Sequence, residues 1–314
     1  RPHQNPASAG SPAAGPRPMI APAELPSDIL GLTAAPFLSR RGFMSASAAT
    51  AAGFTLAAGP VRAEPIHTDA IGLATGEARI AVEGADMPAY FARPAHIAKP
   101  PVVLVAMEVF GLHEYIRDIC RRLAKLGAFA VAPDYYFRSG DMTKITDIQQ
   151  LLPLVNAKAD AELMRDLDAT AAWAGSRGGD AARLAIVGFC RGGRAVWRYA
   201  AHHAGLKAGV AFYGTLVDPP ALKAHLPKSP LDLAAEIRAP VLGLYGEADQ
   251  GIPVSQVEDM RARLKAAGKT SEIRLFPGAP HAFHADYRPS YRPEAAAAAW
   301  TEMSAWLKTH GVLA

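Results

Sequence analysis

One stretch constrains this chain more than any other. In Leu184-Ala185-Ile186-Val187-Gly188-Phe189-Cys190-Arg191-Gly192-Gly193 an apolar run ends on a glycine-flanked cysteine and passes into a helical pattern. A strand that turns abruptly into a helix needs small residues on both sides of the apex, because backbone approaches backbone there and the apex is strained. The apical side chain then stands at the carboxyl end of its strand, the position of a nucleophile elbow. Gly188 and Gly192 flank Cys190, so this elbow carries a thiol. A buried structural cysteine is the common fate of a free thiol, but a core cysteine has no need of flanking glycines at such a turn.

The surrounding pattern agrees with an elbow set in a parallel sheet. Alternating short runs at 78–82 and 89–92 around Gly84 read as an antiparallel hairpin. Residues 102–106 form a continuous β-branched and apolar run, the signature of a strand buried on both faces. Further strands are expected at 128–132, 184–187, 209–213, 241–245 and 272–276. Helices are expected at 115–126, 160–174, 194–201, 255–267 and 293–309. Strand and helix alternate, with antiparallel strands only at the start, so the fold class is α/β: a three-layer α/β/α sandwich on a mostly parallel twisted sheet. No internal repeat interrupts it.

Three segments divide the 314 residues. Residues 1–38 are rich in Pro, Ala and Ser without a sustained period, and are expected to be a disordered extension. Residues 39–63 hold Arg40-Arg41, a moderately apolar Ala-rich run and Val61-Arg62-Ala63, which together look like a twin-arginine export signal. That order implies passage through the twin-arginine translocation machinery and a periplasmic or secreted mature form. Its apolar run is too short for an ordinary membrane span. Residues 64–314 form the mature domain. Net charge is +4, yet residues 1–63 carry five Arg against Glu24 and Asp28, leaving about +1 for the rest, and no block of like charge suggests nucleic acid. Cys120 and Cys190 are the only cysteines, which excludes a disulfide framework and a Cys-rich zinc site.

Reactive side chains in an open parallel sheet gather at the carboxyl ends of the strands. After the strand ending at Tyr245 comes Gly246-Glu247-Ala248-Asp249, and after Phe276 comes Pro277-Gly278-Ala279-Pro280-His281. Nucleophile, acid, histidine, each just past a strand, is the chain order of the α/β-hydrolase fold. Glu247 and Asp249 compete for the acid, and Asp249 has a second reading as a helix cap. His281 and His284 have a metal-like spacing, but Pro280 argues against a helix there and no further ligand is near in sequence. Glu108 ends a buried strand, where an ionised carboxylate is costly without a partner, so a site role is expected. Tyr213 ends another strand and is a candidate for lining the pocket.

Gly-Phe-Cys-Arg-Gly-Gly, Gly-Glu-x-Asp, Pro-Gly-x-x-His-x-Phe and Met107-Glu108-Val109-Phe110-Gly111-Leu112 together resemble the dienelactone hydrolase family over about residues 66–310. The resemblance implies Cys190 as nucleophile, His281 as base, Asp249 as its orienting carboxylate and Glu108 as an acid contacting the thiol. Pro133-Asp134-Tyr135-Tyr136-Phe137-Arg138 is similar to the family segment whose arginine helps hold a substrate carboxylate, which implies that role for Arg138. Physical chemistry supplies the reasons. Pairing with His281 makes the thiolate, Asp249 fixes the imidazole tautomer, and the backbone N–H groups of Val109 and Arg191 are placed for an oxyanion hole. The expected function is an ester or lactone hydrolase that forms an acyl-thioester and uses neither cofactor nor metal. Rivals are a thioesterase or other Cys-dependent hydrolase on the same fold, and a catalytically silent periplasmic binding protein. One departure bears on substrate: the family members of aromatic breakdown carry a second Arg shortly after the histidine, where this chain has Ala285. Arg288 and Arg292 are the nearest replacements.

Overall fold

A computed structural model describes residues 65–314, so the extension and the export signal read at 1–63 lie outside the described residues. The chain opens with a hairpin of β1 (Leu73–Val82) and β2 (Ala85–Pro94). Its two-residue loop has Glu83 at φ +48° and Gly84 at φ +79°, the left-handed pair that a tight hairpin turn matching the strand twist requires. Both strands outrun the alternating runs read from the sequence.

The parallel body follows. It comprises β3 (Pro101–Ala106), helix α1 (Glu114–Lys125), β4 (Phe129–Pro133), α2 (Ile148–Asn156), α3 (Asp160–Ser176) and β5 (Asp180–Phe189). Then come α4 (Arg191–His202), β6 (Leu206–Phe212), β7 (Val241–Gly246), α5 (Val254–Ala266), β8 (Glu272–Phe276) and α6 (Pro293–Thr309). The eight strands lie in the order β1-β2-β4-β3-β5-β6-β7-β8, antiparallel only at β1/β2 and β2/β4. Helices cover the sheet to complete the three-layer α/β/α sandwich. All six residues of β3 are buried, as their uninterrupted apolar character requires of a strand covered on both faces.

The strand order places the site. After β3 the chain moves to β4 on one side, then returns to lay β5 on the other side of β3, so a crevice opens beyond the carboxyl ends of β3 and β5. The register pairs Ala106 with Gly188, which sets Met107, Glu108 and Val109 beside Phe189, Cys190 and Arg191. Two local readings change. Helix α4 starts at Arg191 rather than 194, and α2 was not expected at all. Gly192 and Gly193 are poor helix formers that weaken the periodic signal at the start of α4, and Pro153 does the same inside α2.

Candidate active site

The elbow has the strain its sequence implies. Cys190 sits at φ 56°, ψ −119°, outside the regions that L residues favour, at a cost of about 1–3 kcal/mol. The glycines make the turn possible. A Cβ on Gly188 would lie 2.1 Å from the Gly192 carbonyl oxygen, and one on Gly192 would lie 2.0 Å from that of Ala106. The second contact ties the start of α4 to the end of β3. Around the apex, Cys190 N donates to Phe212 O (3.1 Å) while Cys190 O accepts from Gly193 N (2.9 Å) and Arg194 N (3.2 Å). Cys190 itself is fully buried, and neither it nor Cys120 forms a disulfide.

The segments after β7 and β8 bring a carboxylate and an imidazole together. His281 Nδ1 lies 2.7 Å from Asp249 Oδ2, both side chains inaccessible to solvent. The other carboxylate oxygen, Oδ1, accepts from the amides of Gly251 (2.8 Å) and Ile252 (3.1 Å). Those two donors lock the carboxylate, so its remaining lone pairs address the imidazole. Glu247, the competing acid, is exposed and takes no part. His281 Nε2 is buried with no hydrogen-bond partner among the described residues. Tyr213, left-handed at φ 37°, packs its ring edge-on against His281 at 5.1 Å. Burial pushes the Tyr213 hydroxyl well above its ordinary range, with Glu108 and Cys190 adding to the effect, so it stays a neutral donor.

Glu108 follows β3 and is completely buried. Its Oε2 accepts from the Tyr287 hydroxyl at 2.6 Å and lies 3.3 Å from His113 Nε2, while Oε1 has no hydrogen-bond partner among the described residues. Burial raises the carboxyl pKa, but His113, the Arg288 charge and Tyr287 outweigh it and hold the group below the usual range. Glu108 is therefore an anion with one oxygen uncommitted. Tyr135 fixes the same segment, donating to Met107 O at 2.6 Å. The amides of Val109 and Arg191, one on each side of the β3/β5 crevice, make no hydrogen bond among the described residues.

The arginines separate by their partners. The Arg138 guanidinium is held by Glu162 (2.8 Å) and by Asp166 (3.0–3.1 Å), with Glu83 at 3.9 Å. Arg292 is exposed and bonded to the carbonyls of Pro289 and Tyr291. Arg288 differs from both. It is 6% exposed, lies over the Phe110 ring at 5.8 Å, and its Nε and Nη1 have no hydrogen-bond partner among the described residues. Such unmet buried donors are rare and expensive. Tyr287 and His113 were not singled out in the sequence, since both lie in loops or at a helix cap where no periodicity marks them.

The sequence profile of the family described as "Dienelactone hydrolase family" matches residues 87–311. The chain belongs to the dienelactone hydrolase family. A protein of Methylorubrum extorquens, provisionally named a carboxymethylenebutenolidase, is 52% identical over 289 residues, spanning 91% of this chain and 98% of its own. A relative of the same name in Salmonella typhimurium is 49% identical over 261 residues, 82% of this chain and 96% of its own. Among solved structures, one from Klebsiella pneumoniae, provisionally named a dienelactone hydrolase, superposes with a TM-score of 0.73 at 51% identity, covering 75% of this chain and 98% of that one. As a dienelactone hydrolase family member with the α/β-hydrolase architecture, the protein is a hydrolase, and its Cys190, Asp249 and His281 follow the ends of β5, β7 and β8.

Proposed function

We propose that this protein hydrolyses a carboxylic ester or lactone through Cys190, His281 and Asp249. The observation that carries the reading is the His281–Asp249 pair, locked from behind by two amides and left with an unpartnered Nε2 in a buried site at the strand ends shared with Cys190. His281 Nε2 takes the thiol proton, and the sulfur adds to the substrate carbonyl. The amides of Val109 and Arg191 receive the oxyanion, a contribution of several kcal/mol to the transition state. The C–O bond breaks as His281 returns the proton to the leaving oxygen, giving an acyl-thioester. Water, deprotonated by the same imidazole, then adds to the thioester; C–S cleavage releases the acid and restores the thiol.

Glu108 supplies the fixed anion beside this cycle, and its uncommitted Oε1 is the group to contact the thiol during proton transfer. The names of the relatives point to a lactone that bears a carboxylate. In this chain Arg288, with two unmet donors, suits that carboxylate better than Arg138, whose donors are already taken by acids. Tyr213 walls the pocket. The export reading stands as a proposal as well: cleavage after Ala63, with function in the periplasm, which N-terminal sequencing of the mature protein checks.

The test is turnover of activated esters, lactones and thioesters, ranked by kcat/KM, with Cys190→Ala alongside. Abolished turnover in the variant and an acyl adduct on Cys190 by mass spectrometry are expected. Full activity of Cys190→Ala would sink the assignment, and a preference for thioesters would replace the substrate class.

A further inference from the structure

Behind the catalytic residues, on the side where α6 begins, lies a pocket of about 390 Å³. This is the size of a site for a molecule of one or two rings. Its walls are Ile66, Tyr291, Ala296 and Trp300, with Arg122 at the rim and His284 as its polar floor. None of these residues belongs to the proposed catalytic set.

His284 is the unusual member. It is only 2% exposed, and its Nδ1 is engaged by the Tyr115 hydroxyl at 2.7 Å. Nε2 has no hydrogen-bond partner among the described residues and is on the side of the ring open to the pocket that His284 lines. The ring is wedged between Phe212 (5.0 Å) and Phe189 (5.5 Å) on the inside, while Trp300 lies nearly parallel to it at 5.7 Å. A polar atom at the bottom of a mostly apolar pocket, held on a ring that cannot turn away, selects a ligand with one matching polar group.

The chemistry of that ligand follows from charge and tautomer. Burial and the nearby Arg122 charge lower the His284 pKa to about 3, so the imidazole is neutral. Arg122 is already paired, with Asp118 taking its Nε at 2.5 Å and Asp286 its Nη2, so its charge is largely offset. An anion entering here would compete with Asp118 and Asp286 for the Arg122 guanidinium. If Tyr115 donates to Nδ1, Nε2 carries the proton; if it accepts, Nε2 is a lone pair. A hydroxyl satisfies either case, since it both donates and accepts, and an aromatic ring fills the space between Trp300, Tyr291 and Ile66.

We propose that this pocket is a second binding site, separate from the catalytic centre, that takes a neutral phenol with its hydroxyl on His284 Nε2. The proposal does not depend on the ester-hydrolase reading, and its test uses no turnover. Calorimetric titration of the protein with 2-naphthol is expected to show one site. Loss of a single hydrogen bond in His284→Phe, which keeps a ring in place, weakens binding about tenfold. Ala297→Trp, an exposed change on α6 at the pocket wall, abolishes binding with the thermal midpoint unchanged. The anion 2-naphthoate is expected not to bind. Unchanged 2-naphthol affinity in either variant, or tighter binding of 2-naphthoate than of 2-naphthol, would overturn the proposal.

Discussion

Asp249→Asn tests the proposed mechanism at its least ambiguous point. Asp249 Oδ1 accepts from two amides, at 2.8 and 3.1 Å, and Oδ2 lies 2.7 Å from His281 Nδ1. In the variant one terminal atom becomes an NH2 group. Turning it toward the amides would set donor against donor in a buried place, so the oxygen must stay there and the NH2 must face His281. The imidazole is then forced to accept at Nδ1 and to carry its proton at Nε2, the position that has to receive the proton from Cys190. A charge-stabilised imidazolium becomes equally unfavourable. Displaced tautomers of this kind lower turnover by about 10³- to 10⁴-fold, which is roughly 4–5.5 kcal/mol of transition-state stabilisation. Folding should change little, by about 1 kcal/mol, because every hydrogen bond survives in neutral form. The assay pairs kcat/KM on an activated ester with urea denaturation, and ¹⁵N NMR of the imidazole reads the tautomer. If Asp249→Asn kept more than a tenth of the activity while NMR showed Nε2 protonated, the proton-transfer role given to His281 would be refuted.

Three further expectations follow from other parts of the structure. In Gly192→Ala the new Cβ falls about 1.4 Å short of ordinary 3.4 Å contact with the Ala106 carbonyl, and that neighbour is backbone. A loss of about 3 kcal/mol or more in denaturant unfolding is expected, together with loss of turnover; a variant of wild-type stability would contradict the elbow packing. Arg288→Gln should raise KM for a carboxylate-bearing ester at least tenfold and leave a neutral ester nearly untouched, whereas Arg138→Gln should affect both alike; the opposite pattern returns the clamp to Arg138. Burial raises the Asp134 pKa to about 6. A carboxyl whose folded pKa lies above its unfolded value destabilises the fold increasingly as pH rises from about 4 to 6, and fully above that. Asp134→Asn keeps an acceptor for the Tyr136 amide. It should therefore be more stable than wild type at pH 8, by ~1–2 kcal/mol after allowing for partial exposure, with the difference vanishing near pH 4.

The parts legible in the sequence are those fixed by local rules. Continuous apolar runs gave the buried strands, and glycines on both sides of Cys190 gave the turn, because no other residue tolerates 2 Å backbone approaches. Asp249 and His281 were readable from their positions just past β7 and β8. What selects Asp249 over Glu247 is not local, since it depends on which carboxylate the loop turns inward. The same holds for Tyr287 and His113 around Glu108, and for the difference between Arg138 and Arg288. Sequence marks both arginines as loop cations; only the fold reveals that Glu162 and Asp166 come up from α3 to neutralise one, while the other is buried with donors unmet.

Strain at Cys190 also explains a feature of α4 that catalysis does not use. Arg194, 1% exposed, reaches Asp218 with two bonds (2.7 and 2.6 Å) and Asp160 with two more (2.6 and 3.1 Å). Asp160 begins α3, and Asp218 lies in the loop after β6, where Ser229 Oγ accepts from its amide at 2.8 Å. As a source of net stability a buried ion network of this kind is weak, because desolvation offsets most of the attraction. Its geometric effect is different. Four charge-assisted bonds to two separate segments fix the first turn of α4 in position and direction, and the Cys190 carbonyl is bonded to that same turn through Gly193 and Arg194. A left-handed apex that would relax in an isolated strand–helix unit is held because its helix cannot rotate. The position of Cys190 is thus set by charges on the far side of the helix that follows it.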